Sequence, residues 1–326
     1  MFRLSAALVL AGLASIAYAV PTAIPTATAL TCPGFTPPIQ PVPSKPKNII
    51  IDTDLLSFTD DDVTSNYSLP AIDAINTWYC HPDIPFAQTN DLTTATKEPT
   101  VTDNDKIYIT TLSDSKHFKQ DFDRKTVQDP VEFYTNILKD AEDDSVTILA
   151  IGFLTHLNNF YNSKEGPGLI KSKVKELVFQ GGSCNTTDNP HSAGFNLIYD
   201  LQSAQVLTKW PSPVTFLPGY TANNVEVGRS ALNTSTDSPI RFVYETVNYP
   251  EHYKFGSADP LATYYAAFGI SDLFAYGNED GKGGLRFVKD ESSSVASTEY
   301  DDSVWDNTVS PPEQQRYLMY VMFFLS

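Results

Sequence analysis

Cysteine is scarce in this sequence, with only Cys32, Cys80 and Cys184 among 326 residues. Three cysteines cannot build a disulfide scaffold, and their spacing matches no zinc-binding pattern. One disulfide and a leftover thiol is the reading, with the pairing left open. Basic residues are also few: 22 Lys and Arg stand against 39 Asp and Glu, a net charge of −17. That deficit argues against sequence-independent binding of nucleic acid, which needs a basic face to displace counterions, and against docking on anionic membranes. The apolar run Leu4–Ile16 falls short of the ~20 residues that a membrane span requires. Aromatic and apolar side chains, by contrast, make up 12% and 41% of the chain. They allow a sizeable core and exclude wholesale disorder.

The N-terminal nineteen residues read as a secretory signal peptide: Arg3, then the short apolar run, then Ala17-Tyr18-Ala19 as a small-x-small cleavage site. Its removal leaves 21 basic residues and a net charge of −18. Sequons at Asn66, Asn185 and Asn233 are compatible with a glycosylating route, so the expected location is extracellular, with no membrane attachment after cleavage. Residues 20–46 hold eight of the 23 prolines and read as an extended tether, leaving residues 47–326 as one folded domain.

Within that domain, Asn48–Asp52 is a β-branched run without polar alternation, as expected of a strand buried on both faces. Ser145–Ile151, Glu176–Phe179 and Pro213–Leu217 repeat the pattern. Helical stretches are expected at Pro70–Tyr79 (capped by Ser68), Pro130–Asp140, Leu154–Tyr161 and Asp200–Trp210, with a final helix beginning over Gln314–Tyr320. Strand and helix in alternation predict an α/β fold: a mainly parallel central sheet flanked by helices, with a Rossmann-like core.

The richest stretch for chemistry runs from Asp52 to Asp62, where Asp52, Asp54, Asp60, Asp61 and Asp62 fall within eleven residues. Asp52 and Asp54 are two apart at the end of a buried strand, where open α/β sheets bind ligands. Carboxylates so close repel one another unless a proton or a hard divalent cation compensates. Two chemistries use such a strand end. One is phosphoryl transfer with an aspartate nucleophile, for which no convincing downstream Lys is present. The other is hydrolysis at an anomeric carbon by water that a carboxylate activates. Asp60-Asp61 favours the second.

Five stretches in order resemble the inosine/uridine-preferring nucleoside hydrolase family. They are Ile49–Asp54 with Asp60-Asp61, Leu149–Thr155, Val174–Gly182, Ala193-Gly-Phe-Asn196 with Asp200, and Asp259–Ala262. The resemblance runs from about Lys47 to Gly277. It implies a Ca²⁺ at the strand ends and a small-molecule nucleoside as substrate. Asp54 matches the residue that binds the cation and acts as general base. Asp61 matches the bidentate ligand, Ile151 the backbone-carbonyl ligand and Asp259 the last carboxylate, with Asp52 supporting the metal site. Asp60 would face the ribose hydroxyls, and Asn196 matches an amide that binds ribose. Asp188 or Asn189 would supply another ribose contact. A homo-oligomer is the assembly common in the family.

Departures from the family pattern accompany the resemblance. Gly194 stands where members often carry a ribose-binding Glu, Ala258 where well-studied members have a His that acts as leaving-group acid, and Phe58 where some have an acidic residue. His156 and His191 read as surface histidines. After Asp61 the family continues through a helix and a second parallel strand, yet this chain passes almost at once into the Pro70–Tyr79 stretch. These departures motivate an alternative: a catalytically degenerate protein that binds ribose or nucleoside on the same scaffold.

Overall fold

A computed structural model describes residues 47–54, 61–88, 103–182, 195–198, 200–218, 226–228, 231, 233–247, 254–256, 258–270, 274–276, 284–289, 296–301 and 315–320. The expected signal peptide and tether, Asp60, Asp188, Asn189, His191, Gly194, Cys32 and Cys184 lie outside the described residues.

The centre is a six-stranded sheet in the order β1-β2-β3-β4-β10-β7. Its strands are β1 (Asn48–Asp52), β2 (Val146–Ala150), β3 (Val174–Gln180), β4 (Val214–Leu217), β7 (Phe274–Tyr276) and β10 (Gln315–Tyr320), while β5 (Glu226–Gly228) with β6 (Lys254–Gly256) and β8 (Gly284–Lys289) with β9 (Ala296–Asp301) form two separate pairs. Strands β1 to β4 and β10 run parallel, and β7 is antiparallel to β10. The sequence expectation of an α/β, mainly parallel sheet is met. Every residue of β2 and β4 is buried, because helices cover both faces and leave no reason for polar alternation.

One face packs against α3 (Pro130–Asp140), α4 (Thr155–Tyr161) and α5 (Gly166–Lys173). Asp129 starts α3 by accepting hydrogen bonds from the Val131 and Glu132 amides, and Pro130 follows where no amide donor is needed. Phe133, Tyr134, Leu138 and Phe160 bury that face, with Tyr134 and Phe160 stacked at 5.1 Å between centroids. Burial of each such side chain contributes about 1.5–3 kcal/mol. The opposite face packs Leu149, Ile151, Val178 and Leu217 against α9 (Ala258–Phe268). A third cluster joins α1 (Asp61–Trp78), α2 (Asp103–Leu112) and α8 (Pro239–Val247). No helix among the described residues is long and apolar enough to cross a membrane.

Three expectations are corrected. The helix predicted to start at Pro70 under a Ser68 cap begins instead at Asp61, so Pro70 lies in its interior and Ser68 is buried. Leu69, Ala71, Ile72 and Ile75 are all buried around the proline, and that packing offsets the hydrogen bond its missing N–H forfeits. The final helix expected over Gln314–Tyr320 is strand β10. It fills the place beside β4, whose edge N–H and C=O groups would otherwise lack a ladder partner. The Asp200–Trp210 helix is also broken in two, an α-turn at Leu201–Ala204 and a 3₁₀ segment at Gln205–Lys209. Between β1 and β2 the described chain contains helices and no strand in the sheet, and the two strands pair directly from Asn48↔Val146 to Asp52↔Ala150.

Candidate active site

Among the described residues, the carboxyl ends of β1, β2 and β3 carry several that the sequence singled out. Asp52 closes β1 with its side chain only 1% exposed. Its two oxygens are both engaged: Tyr134 Oη donates to Oδ2 at 2.9 Å, and His156 Nδ1 meets Oδ1 at 2.8 Å. Tyr134 comes from α3 and His156 from the first turn of α4, so two helices hold one strand-end carboxylate. His156 is therefore a partner of Asp52 and not a surface histidine. Burial works against its positive charge, but the Asp52 carboxylate beside it and their hydrogen bond outweigh this, with Asp129 adding to them, and raise its pKa. The Tyr134 hydroxyl is pushed well up by burial and by the Asp52 charge to which it donates.

Asp54 lies two residues past Asp52. Burial raises its carboxyl well above the ordinary range, and the charges of Asp259 and Asp52 add to that rise, opposed by a backbone hydrogen bond. Asp259 enters from the other side, in the first turn of α9, and burial pushes its carboxyl up to about 7. Ile151 follows β2 and donates its amide to the Asp52 carbonyl at 2.8 Å, which fixes it beside the end of β1. Gly152 comes next. A Cβ there would stand 2.8 Å from the Thr53 carbonyl carbon and would overlap the Asp54 backbone nitrogen. Only a residue without a side chain lets the loop after β2 lie against the Asp54 backbone.

The structure thus brings Asp52, Asp54, Ile151 and Asp259 together at one end of the sheet. Asp61, also expected at the metal, is the first residue of α1. Among the described residues no three carboxylates, imidazoles or thiols form a metal-binding cluster by themselves. The groups that interact here, Asp54 and Asp259, are two half-buried carboxyls and offer oxygen donors only. Hard cations such as Ca²⁺ take oxygen ligands of these kinds. The Asp259 charge adds to the rise at Asp54, and such carboxylate repulsion is what a divalent charge relieves.

Asn196 is buried in a short helix, α6 (Phe195–Ile198). Its Nδ2 donates to the main-chain oxygen of Gln180 at 3.0 Å and to Gln180 Oε1 at 2.9 Å. Asp200, fully buried, accepts from Thr155 Oγ1 and from the Ser203 amide at 3.1 Å. Two of the sequence stretches, the one ending at Thr155 and the one ending at Asp200, are therefore fastened to each other. Sequence reasoning missed Tyr134, which belongs to the apolar face of its helix, and Gln180, the polar residue that ends an apolar strand. Only the second left a signal, one polar side chain at a strand's carboxyl end.

Solved structures with the same fold include a plant nucleoside hydrolase at 18% identity, with a TM-score of 0.58 over 86% of this chain and 95% of that one. A purine-preferring ribonucleoside hydrolase from Gardnerella vaginalis aligns at 16% identity and a TM-score of 0.54, covering 84% of each chain. An inosine-uridine preferring nucleoside hydrolase from Bacillus anthracis aligns at 14% identity and a TM-score of 0.52, again covering 84% of each. At these identities the likeness establishes the shared fold. A comparison with curated protein sequences found no match. Residues 62–293 match the family described as inosine-uridine preferring nucleoside hydrolase, and the chain belongs to that family.

Proposed function

We propose that this protein is an exported, Ca²⁺-dependent hydrolase of the N-glycosidic bond of ribonucleosides. The observation that carries this reading is the pair of half-buried carboxyls, Asp54 and Asp259, whose charges interact at the end of β1, in a chain of this family. Asp54, Asp259, the Ile151 carbonyl and Asp61 would hold the cation. When bound, Ca²⁺ supplies a positive charge that offsets carboxylate repulsion and acidifies neighbouring water.

The chain's own residues do the rest. Asp54, kept ionised beside that charge, takes a proton from the water that attacks the anomeric carbon. The C–N bond breaks with its electron pair passing to the base, and the sugar develops oxocarbenium character that nearby carboxylates stabilise. Asp52 does not have to move: Tyr134 and His156 fix its carboxylate, and its charge acts on Asp54. Ala258 carries no acid, so the proton for the departing base must come from elsewhere than this position. Export rests on the leader sequence and on Asn233, an exposed sequon asparagine in the turn before α8.

The test is ribose release from inosine, uridine and adenosine by the purified protein. Release should stop on chelation and return with Ca²⁺, and Asp54→Ala should lower the rate by about 10²–10⁴-fold. Release that ignores both chelator and the substitution sinks the proposal, and nucleoside binding without any turnover supports the degenerate binding protein instead.

A further inference from the structure

The amide network at the end of β3 fixes the direction of a side chain that the mechanism above does not use. The main-chain oxygen of Gln180 can only accept a hydrogen bond. It therefore dictates that Asn196 turns its amino group, not its carbonyl, toward β3. That amino group also donates to Gln180 Oε1, so Gln180 must turn its side-chain carbonyl toward Asn196. A carboxamide has only two ends, and the Nε2 amino end of Gln180 consequently faces away from Asn196. Flipping Asn196 would set its carbonyl oxygen against two others, and flipping Gln180 would set two amino groups against each other.

The register of the sheet says where that amino group is. Val178 packs with Ile151, Leu217 and Leu261 of α9, whereas Phe179 packs on the opposite face. Alternation returns Gln180 to the α9 face, and it pairs with Leu217 of the same cluster. The last pair of the neighbouring ladder is Ala150↔Phe179, so Gln180 lies beside Ile151 one step further along. Gln180 thus stands at the strand ends on the side of the sheet where α9 carries Asp259. It is half-buried, while Asn196 behind it is buried.

We propose that Gln180 is a substrate-contacting residue: its Nε2 amino group donates to a hydroxyl oxygen of the sugar, and Asn196 is the positioning residue that locks it. This rests on the nucleoside-hydrolase reading and revises one part of it, since the ribose contact expected of Asn196 passes to Gln180. A neutral donor at this place complements the carboxylates at the end of β1, which accept hydrogen bonds when ionised. It selects sugars that carry the matching hydroxyl.

Two variants separate donation from packing. Gln180→Met keeps the length and removes the donor. Gln180→Glu keeps an oxygen for Asn196 and replaces the donor with an acceptor. Both should lower kcat/KM for a ribonucleoside by about 3–10-fold, the effect of one lost hydrogen bond, with melting temperatures close to the parent. Among 2′-, 3′- and 5′-deoxynucleosides, the analogue lacking the partner hydroxyl should be cleaved equally by parent and variants. In parallel, the ¹⁵N side-chain amide resonance of Gln180, assigned by its loss in the variants, should shift when ribose or ribonucleoside is added. Equal losses across the whole panel, a parent-like Gln180→Glu, or an amide resonance indifferent to sugar would overturn the proposal. If no nucleoside is cleaved but the amide resonance shifts, the hydrolase reading fails and the Gln180 contact stands.

Discussion

Asp52 shows how a single buried charge is held. Its 1%-exposed carboxylate loses the hydration that would stabilise it in water, and one hydroxyl and one imidazole nitrogen replace that hydration. Removing one partner leaves a buried oxygen unsatisfied. Tyr134→Phe keeps the ring stacked on Phe160 and deletes only the donor, so it should cost about 1.5–3 kcal/mol of stability in urea unfolding. A change below the precision of the titration would show that His156 alone suffices. At this scale the sequence made Asp52 and Asp54 legible, because acidic residues at a strand end stand out against an apolar background, whereas Asp259 was marked only by the family resemblance. Tyr134 was not legible. A tyrosine on an amphipathic helix face looks the same whether its hydroxyl reaches a carboxylate 82 positions away or none at all.

Among elements, the decisive contact is between the end of β1 and the loop that joins β2 to α4. Ile151 extends the β1–β2 ladder by one hydrogen bond, and Gly152 then lets the chain pass against Thr53 and Asp54. Gly152→Ala must push the Asp54 backbone away, since a backbone atom cannot yield as a side-chain tip can. We expect ribose release to fall by on the order of 10²-fold while far-UV circular dichroism is retained, because small misplacements at a reacting centre cost rates of that size. Full activity would mean that the two segments separate without consequence. Element identity was largely readable: β1, β2, β3, β4 and α3 fall where periodicity put them. The start of α1 and the type of β10 were not, since both depend on neighbours. Apolar burial carries α1 through Pro70, and the open edge of β4 draws residues 315–320 into a strand.

For the molecule as a whole, the aromatic content that promised a core also sets a limit at high pH. Burial pushes the Tyr79 hydroxyl up to about 12, and it raises Tyr134 and Tyr244 as well, with Asp52 adding to the first and Asp259 to the second. The folded state then keeps protons that the unfolded chain releases near pH 10. Stability is accordingly intact below that pH and falls as pH rises toward 12 and beyond. Absorbance at 295 nm should show the exposed tyrosines ionising first, and a later group should appear together with loss of the circular dichroism signal. Smooth titration of all tyrosines before any unfolding would contradict the burial argument. Cys80 is disulfide-bonded, which agrees with one bridge among three cysteines; its partner lies outside the described residues.

By itself the sequence determined the fold class, the parallel strands and the place where acidic groups collect. Those properties follow from local composition: β-branched runs must be buried on both sides, and carboxylates after such runs fall at a sheet's binding edge. Only the tertiary structure decided which groups answer those carboxylates. The Tyr134 and His156 clamp on Asp52, the Gly152 approach to Asp54, and the Asn196 lock on Gln180 each join residues from separate elements. Hydrogen-bond direction and steric fit exist only once the chain has closed on itself, and they decide what a strand end can hold.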